Sequence, residues 1–190
     1  MNSKEVLDLL EWSGAIMSGH FKLTSGRHSD KYIEKFRLLE NPIALDKICS
    51  AMAENFKDKN IDLVVSAAIG GILIAGGVGR HLNVKHIFSE RVDGNMKFKR
   101  GFNIEKKQNI LIVEDIVTTG GSIKEIIKIC NSYKANITGI VSIVDRNDKN
   151  SIIEYPYQTL LHHPSQSWDK SDCPLCKKNE PVMKPGSTGK

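Results

Sequence analysis

Apolar residues recur along the chain at two spacings, and the change from one to the other marks out its elements. Residues 6–12 set Leu9 and Leu10 among Asp8 and Glu11, with Glu5 just ahead, which predicts a short amphipathic helix. After a turn-rich stretch, Pro42 can start a second helix, in which Ala44, Ile48, Ala51, Met52 and Asn55 recur at helical spacing and turn a mostly apolar stripe inward. The pattern then alternates. Leu63-Val64-Val65 reads as a buried strand, residues 71–82 as a helix, and Ile110-Leu111-Ile112-Val113 as another buried strand. Ile123, Ile126, Ile127 and Cys130 fit one helical face, and residues 140–144 read as the next strand. Repeated strand-helix-strand order implies an α/β protein: a mainly parallel sheet with helices on its faces. Beyond Leu161 the chain turns rich in Pro, Ser, Lys and Asp, and the last residues, 185–190, read as a disordered tail.

The length of 190 residues suits one compact domain, with 40% apolar and 26% charged residues and no apolar run long enough for a membrane span. The N-terminal residues carry no signal-peptide pattern, so a cytoplasmic location is expected. Four cysteines are too sparse for a disulfide framework. The net charge of +5 is concentrated: residues 91–107 hold six basic and two acidic side chains. That distribution suggests one anion-attracting segment rather than the broad basic face of a nucleic-acid binder.

The segment richest in chemistry is the apolar strand ending in Glu114-Asp115, followed by Ile116-Val117-Thr118-Thr119-Gly120-Gly121-Ser122. Strand ends of open α/β sheets are where such proteins bind ligands. Amides around Gly120 and Gly121, with the hydroxyls of Thr118, Thr119 and Ser122, suit a phosphate at the positive end of the following helix. The adjacent acids can accept hydrogen bonds from sugar hydroxyls or organise a hydrated Mg²⁺. A plain strand-turn-helix connection would explain the small residues but not the acid pair. The Gly and Lys spacing of a nucleoside-triphosphate P-loop is absent.

This segment resembles the signature of type I phosphoribosyltransferases, which bind 5-phosphoribosyl 1-pyrophosphate. Phe21-Lys22-Leu23-Thr24-Ser25-Gly26-Arg27-His28-Ser29-Asp30-Lys31-Tyr32 is similar to the substrate-side segment of the orotate phosphoribosyltransferases, Ser66-Ala67-Ala68-Ile69-Gly70-Gly71 to their pyrophosphate-side loop, and Val144-Asp145-Arg146 to their strand-end arginine motif. The matches run in the expected order over residues 14–147. The resemblance implies a single phosphoribosyltransferase domain over residues 1–190, whose parallel sheet carries a small hood from about residues 1–40 and 155–184. It implies transfer of phosphoribose to orotate, giving orotidine 5'-monophosphate and pyrophosphate in pyrimidine synthesis, with Mg²⁺ as cofactor and a homodimer as the assembly. Carried over to this chain, it assigns donor binding to Arg91 and to Glu114, Asp115, Ile116, Val117, Thr118, Thr119, Gly120, Gly121 and Ser122. It assigns orotate binding to Thr24, Ser25, Thr118 and Arg146, and catalysis to Lys97, Lys99, Arg100 and Asp115. Arg146 is chemically apt, since a planar guanidinium makes two directed bonds to a carboxylate edge. Taken alone, it could instead pair with a surface acid.

The chain departs from the commoner family pattern in having Thr24 and Ile69 where Lys is frequent, and it lacks the usual Arg-Lys-x-x-Lys-x-His loop. Residues 90–102 are the counterpart, as in a shorter-loop variant. A basic lid there would stabilise the charge that gathers on departing pyrophosphate; the plain alternative is a solvated basic hairpin. Purine transfer, or a non-catalytic regulator that binds the same donor, are the rival functions. Cys173-Pro174-Leu175-Cys176 has the spacing of half a zinc site, which His162 and His163 could complete, although a reduced thiol turn is the simpler reading. His20, His28, His81 and His86 read as surface or packing residues.

Overall fold

A computed structural model describes residues 1–23, 25–147, 153–164 and 166–185. Thr24 and residues 186–190, on which a base contact and a tail were expected, lie outside the described residues. The first helix, α1 (Ser3–Trp12), is capped reciprocally: Asn2 accepts the Glu5 N–H while Glu5 accepts the Asn2 N–H. An antiparallel hairpin follows, β1 (Ile16–Lys22) and β2 (His28–Ile33), then the short α2 (Lys35–Leu39). Pro42 occupies the first turn of α3 (Pro42–Glu54), where Asn41 accepts two free amides. The inward stripe of α3 includes Ala44, Ile48, Ala51 and Met52, but Asn55 is not part of it: this exposed residue caps the C-terminus.

The second half builds the sheet: β3 (Leu63–Ala67), α4 (Gly70–Leu82), β4 (Lys85–Val92), β5 (Asn95–Phe98), β6 (Asn109–Val117), α5 (Gly121–Ser132), β7 (Asn136–Asp145) and β8 (Tyr157–His162). A last turn of helix, α6 (Pro174–Lys177), follows. The strand order is β5-β4-β3-β6-β7-β8, and every pairing is parallel except β4 with β5. From β3 the chain moves outward to β4, and from β6 it moves the other way to β7. The order therefore reverses between β3 and β6, and the loops leaving their C-terminal ends diverge into a crevice.

Alternation along the central strands explains why they read as unbroken apolar runs. Leu111 and Val113 pack on the face covered by α1, α3 and α4, whereas Ile110 and Ile112 pack on the face covered by α5, and all four are fully buried. Each such side chain contributes about 1.5–3 kcal/mol by leaving water, so the rigid middle of the sheet holds the strand ends in place.

The basic segment is a β-hairpin at the sheet edge. Asp93 and Gly94 both have positive φ (51° and 79°), as a tight two-residue turn requires, and they join β4 to β5. The two ends of the chain also meet. Phe21 bridges Met183, His28 bridges Trp168, the Arg27 guanidinium donates to Ser167 Oγ, and Ser29 Oγ donates to the Gln166 carbonyl. One sequence expectation needs correction here, the choice of histidines beside Cys173 and Cys176. His20 and His28 are buried, and they face Cys173 and Cys176; His162 and His163, proposed as partners of those cysteines, stand instead at the end of β8 beside Asp145. Among the described residues, no helix is long and apolar enough to cross a membrane.

Candidate active site

Strand β6 does not stop at Val113: it pairs with β7 as far as Val117 opposite Asp145. Glu114 and Asp115 therefore lie within the strand, and successive side chains leave on opposite faces. Glu114 follows Ile110 and Ile112 to the α5 face, where it lines a cavity of about 220 Å³ with Arg91, residues 116–123 and Glu125. Asp115 follows Leu111 and Val113 to the α4 face, where its Oδ2 lies 2.6 Å from Lys35 Nζ. A Cβ placed on Gly70 would sit 2.1 Å from the same Oδ2, so only glycine lets the start of α4 come this close to the acid. The pair thus addresses both sides of the crevice.

Gly120 turns the chain into α5 at φ 71°, and no side chain caps that helix. The same is true at Ile69 ahead of α4, whereas α1, α2 and α3 all begin on a capping side chain. The two helix ends that flank the crevice thus keep their first amides for a ligand, and both favour an anion. Thr118 and Thr119 are exposed at the cradle rim, and Ser122 is half-buried. On the far wall Arg91 is held by Glu125 of α5, with N···O distances of 2.7 and 3.3 Å, and Arg91 keeps that carboxyl below its usual range. A larger groove of about 950 Å³ lies between α1 and α3, but its lining of Glu5, Asp8, Asp46 and Glu54 beside Leu9 and Trp12 would repel a phosphate.

On the neighbouring strand end, the Arg146 N–H donates to the Val117 carbonyl at 2.8 Å, which fixes its backbone beside the cradle strand. Its guanidinium is half-buried and faces Tyr32 of the hairpin; burial lowers its proton affinity from the usual arginine value. Ser25 lies in the exposed turn at the other end of that hairpin from Tyr32, so the structure does not bring Ser25 and Arg146 together. Lys97, Lys99 and Arg100 also stand outside the cradle cavity, exposed on the edge hairpin and just beyond it. Lys97 lies 3.9 Å from Asp93, and Arg100 makes a bidentate pair with Glu90 at 2.9 Å. Of the residues expected to bind the donor, Arg91, Glu114 and residues 116–122 converge on one cavity, with Asp115 behind them. Lys35, Tyr32 and Glu125 join the site unannounced. Each is an ordinary charged or aromatic residue in its own segment, and only tertiary packing gives it a place.

Burial first, and then the Asp115 carboxylate, hold Glu114 well above the ordinary carboxylate range. The folded chain then keeps a proton that the unfolded chain releases near pH 4.3, so this group's contribution to stability falls as pH rises above that value. Glu114→Gln removes the dependence. The variant should lose less stability than the wild type between about pH 5 and 8 and melt higher at the upper end. Superimposable melting-versus-pH profiles for the two proteins would refute this.

Comparison with known proteins agrees with this geometry. Residues 37–172 match the phosphoribosyl transferase domain. The orotate phosphoribosyltransferase of Thermoanaerobacter sp. (strain X514) is 43% identical over 187 residues, covering 98% of each chain. Among solved structures, the Mycobacterium tuberculosis H37Rv orotate phosphoribosyltransferase in complex with inorganic phosphate superimposes with a TM-score of 0.69 at 22% identity, over 83% of this chain and 94% of that one. The Leishmania donovani UMP synthase does so with a TM-score of 0.71 at 23% identity over 84% of this chain, which spans only 36% of that longer protein. At those identities the structures speak for the fold alone, and the fuller match in sequence carries the family. The chain belongs to the phosphoribosyl transferase family and, within it, to the orotate phosphoribosyltransferases.

Proposed function

We propose that the chain transfers phosphoribose from 5-phosphoribosyl 1-pyrophosphate to orotate, giving orotidine 5'-monophosphate and pyrophosphate in pyrimidine synthesis. The observation that carries this reading is the crevice between β3 and β6, where two uncapped helix ends flank a buried acid pair and Arg146 stands just past the end of the next strand. The α5 cradle suits the donor's phosphate, the α4 end its pyrophosphate, and the acids its ribose hydroxyls. Arg146 suits the orotate carboxylate, with Thr118 at the rim between the two substrates. Holding orotate N1 in line with C1' supplies much of the acceleration, and fixed positive groups stabilise the leaving pyrophosphate as the bond to ribose breaks.

The Asp115 carboxylate presents oxygen ligands of the kind Mg²⁺ takes through water, so the residues present fit that ion. When bound with the donor, Mg²⁺ supplies charge neutralisation at the pyrophosphate. Four unpaired cysteines suit a reducing cytoplasm. The exposed edge hairpin, whose lysines do not line their own cradle, supports a homodimer in which this hairpin completes the neighbouring site. On that reading, replacing Lys97 and Lys99 together by alanine should slow single-turnover chemistry on the order of tenfold and leave equilibrium orotate binding nearly unchanged. Unchanged chemistry would remove these lysines from the mechanism.

Pyrophosphate release measured with the donor and, in turn, orotate, hypoxanthine, xanthine and uracil tests the reading. Turnover with orotate alone is expected. Preference for a purine would overturn the choice of base, and donor binding without any turnover would make the chain a regulator.

A further inference from the structure

The hairpin of β1 and β2 forms a two-stranded sheet of its own, apart from the main one. Its ends pack on the main core through Ile16 and Ile33, Phe21 is buried against Tyr32, and the bridges to Met183 and Trp168 join it to the C-terminal segment. An isolated hairpin is at best marginally stable in water, and four further side chains converge where it meets that segment. His20 on β1, His28 at the start of β2, and Cys173 and Cys176 around the start of α6 each offer one ligand atom, and these four atoms lie within 4.8 Å of one another.

We propose that His20, His28, Cys173 and Cys176 form a structural Zn²⁺ site that fastens the hairpin to the C-terminal segment. Four of the six ligand pairs come near the edges of a tetrahedron, and the remaining two, within 4.8 Å, need to close by at most about an ångström. Zinc–sulfur and zinc–nitrogen bond lengths imply ligand-to-ligand edges of about 3.3–3.8 Å. Cys173 Sγ lies 3.5 Å from His20 Nε2, and Cys176 Sγ lies 3.7 Å from His20 Nε2 and 3.3 Å from His28 Nδ1. The two ring nitrogens, 2.7 Å apart, need to separate by roughly half an ångström. Tautomer chemistry points the same way. His20 Nδ1 lies 2.8 Å from the Glu180 carbonyl, which can only accept, so Nδ1 carries the proton and Nε2 turns its lone pair toward the cluster. Such a backbone hydrogen bond on the distal nitrogen is how metal-bound histidines are oriented. Two thiolates and two imidazoles in a tetrahedron select zinc over the hard cations that take oxygen. His20, His28 and Cys173 are buried and Cys176 is half-buried, which closes the site to a reacting water, as in structural rather than catalytic centres.

The consequence reaches the hairpin turn. The two histidines bracket the turn that carries Ser25, and Arg27 of the same turn is tied to Ser167 and Asp169 a few residues ahead of Cys173. Zinc would hold that turn in register with the C-terminal segment.

The test uses the full chain purified without added chelator. Elemental analysis should find one zinc per chain, and the Cys173→Ser/Cys176→Ser double variant should lose it. Removal of zinc from the wild type by a chelator should lower the melting temperature by about 5–10 °C, and zinc chloride should restore it. Cobalt(II) in its place should show the intense ligand-field bands of a tetrahedral site together with thiolate charge transfer, a readout that needs no variant to fold. Absence of zinc, equal zinc in the double variant, an octahedral cobalt spectrum or a Cys173–Cys176 disulfide in the mass of the unreduced chain would each overturn the proposal. All of these readouts are independent of catalysis, so failure of the orotate assignment would leave them unchanged.

Discussion

Asp115→Asn should lower kcat/KM by roughly 10²–10³-fold while shifting the melting temperature by only a few degrees. The carboxylate is nearly buried, accepts the Ile116 N–H on one oxygen and faces Lys35 with the other. Asparagine keeps the size and one acceptor but loses the charge and turns a donor toward either Lys35 or the ligand. The folding penalty is small because Lys35 remains about one-third exposed, and its ammonium can return to water when the pair is lost. On the proposed reading the penalty in function is larger, since each hydrogen bond from a ribose hydroxyl to a charged acceptor contributes about 1.5–3 kcal/mol. Lys35→Ala supplies the control. If Asp115 served only to pair with Lys35, the two variants would behave alike in both turnover and melting; if it binds the donor, Asp115→Asn is much the worse in turnover. Near-normal turnover in a folded Asp115→Asn protein would exclude Asp115 from the chemistry.

What could be read beforehand follows from where each element sits. β3, β6 and β7 are buried on both faces, so their apolar runs stand out, and the helices between them carry clear stripes. The other strands hide because they are short or half-exposed. β5 spans only Asn95–Phe98, β1 mixes Ser18, Gly19 and His20 with apolar residues, and β8 buries only Leu160 and Leu161. The cradle was legible because one contiguous segment builds it. The continuation of β6 past its two acids to Val117 was not. That continuation decides the layout, because it sends Glu114 and Asp115 to opposite faces. The proposed metal site was half legible: the Cys173-Pro174-Leu175-Cys176 spacing shows two ligands, but Cys173 stands 153 positions from His20, and no local spacing links the cysteines to the histidines.

The uncapped starts of α4 and α5 give the site a common logic. A capping side chain at either helix would have satisfied the amides that a phosphate needs, at a gain of about 0.5–2 kcal/mol in stability. The chain leaves both ends open where the strand order reverses, whereas α1, α2 and α3 each begin on a capping side chain. Stability forgone at these two ends becomes affinity for anions, so donor binding should be the step most sensitive to ionic strength.

Arg146→Ala should cut transfer to orotate by about tenfold to a hundredfold and leave donor binding nearly intact. The Arg146 N–H still donates to the Val117 carbonyl in the alanine variant, so the strand end and the cradle beside it stay in place. What is removed is the guanidinium, which burial has already stripped of part of its water beside Tyr32. A charge-assisted bond to the orotate carboxylate in that setting contributes about 1.5–3 kcal/mol, which corresponds to the predicted loss. Uracil lacks that carboxylate, so any residual reaction with uracil should be nearly unaffected, and the preference for orotate over uracil should narrow by the same factor. The Arg146→Lys variant keeps the charge without the planar fork and should recover only part of the loss. If donor affinity falls in parallel with orotate transfer, Arg146 serves the cradle rather than the base. If orotate affinity and turnover both survive, the base lies elsewhere and the orotate pocket has to be sought on another strand end.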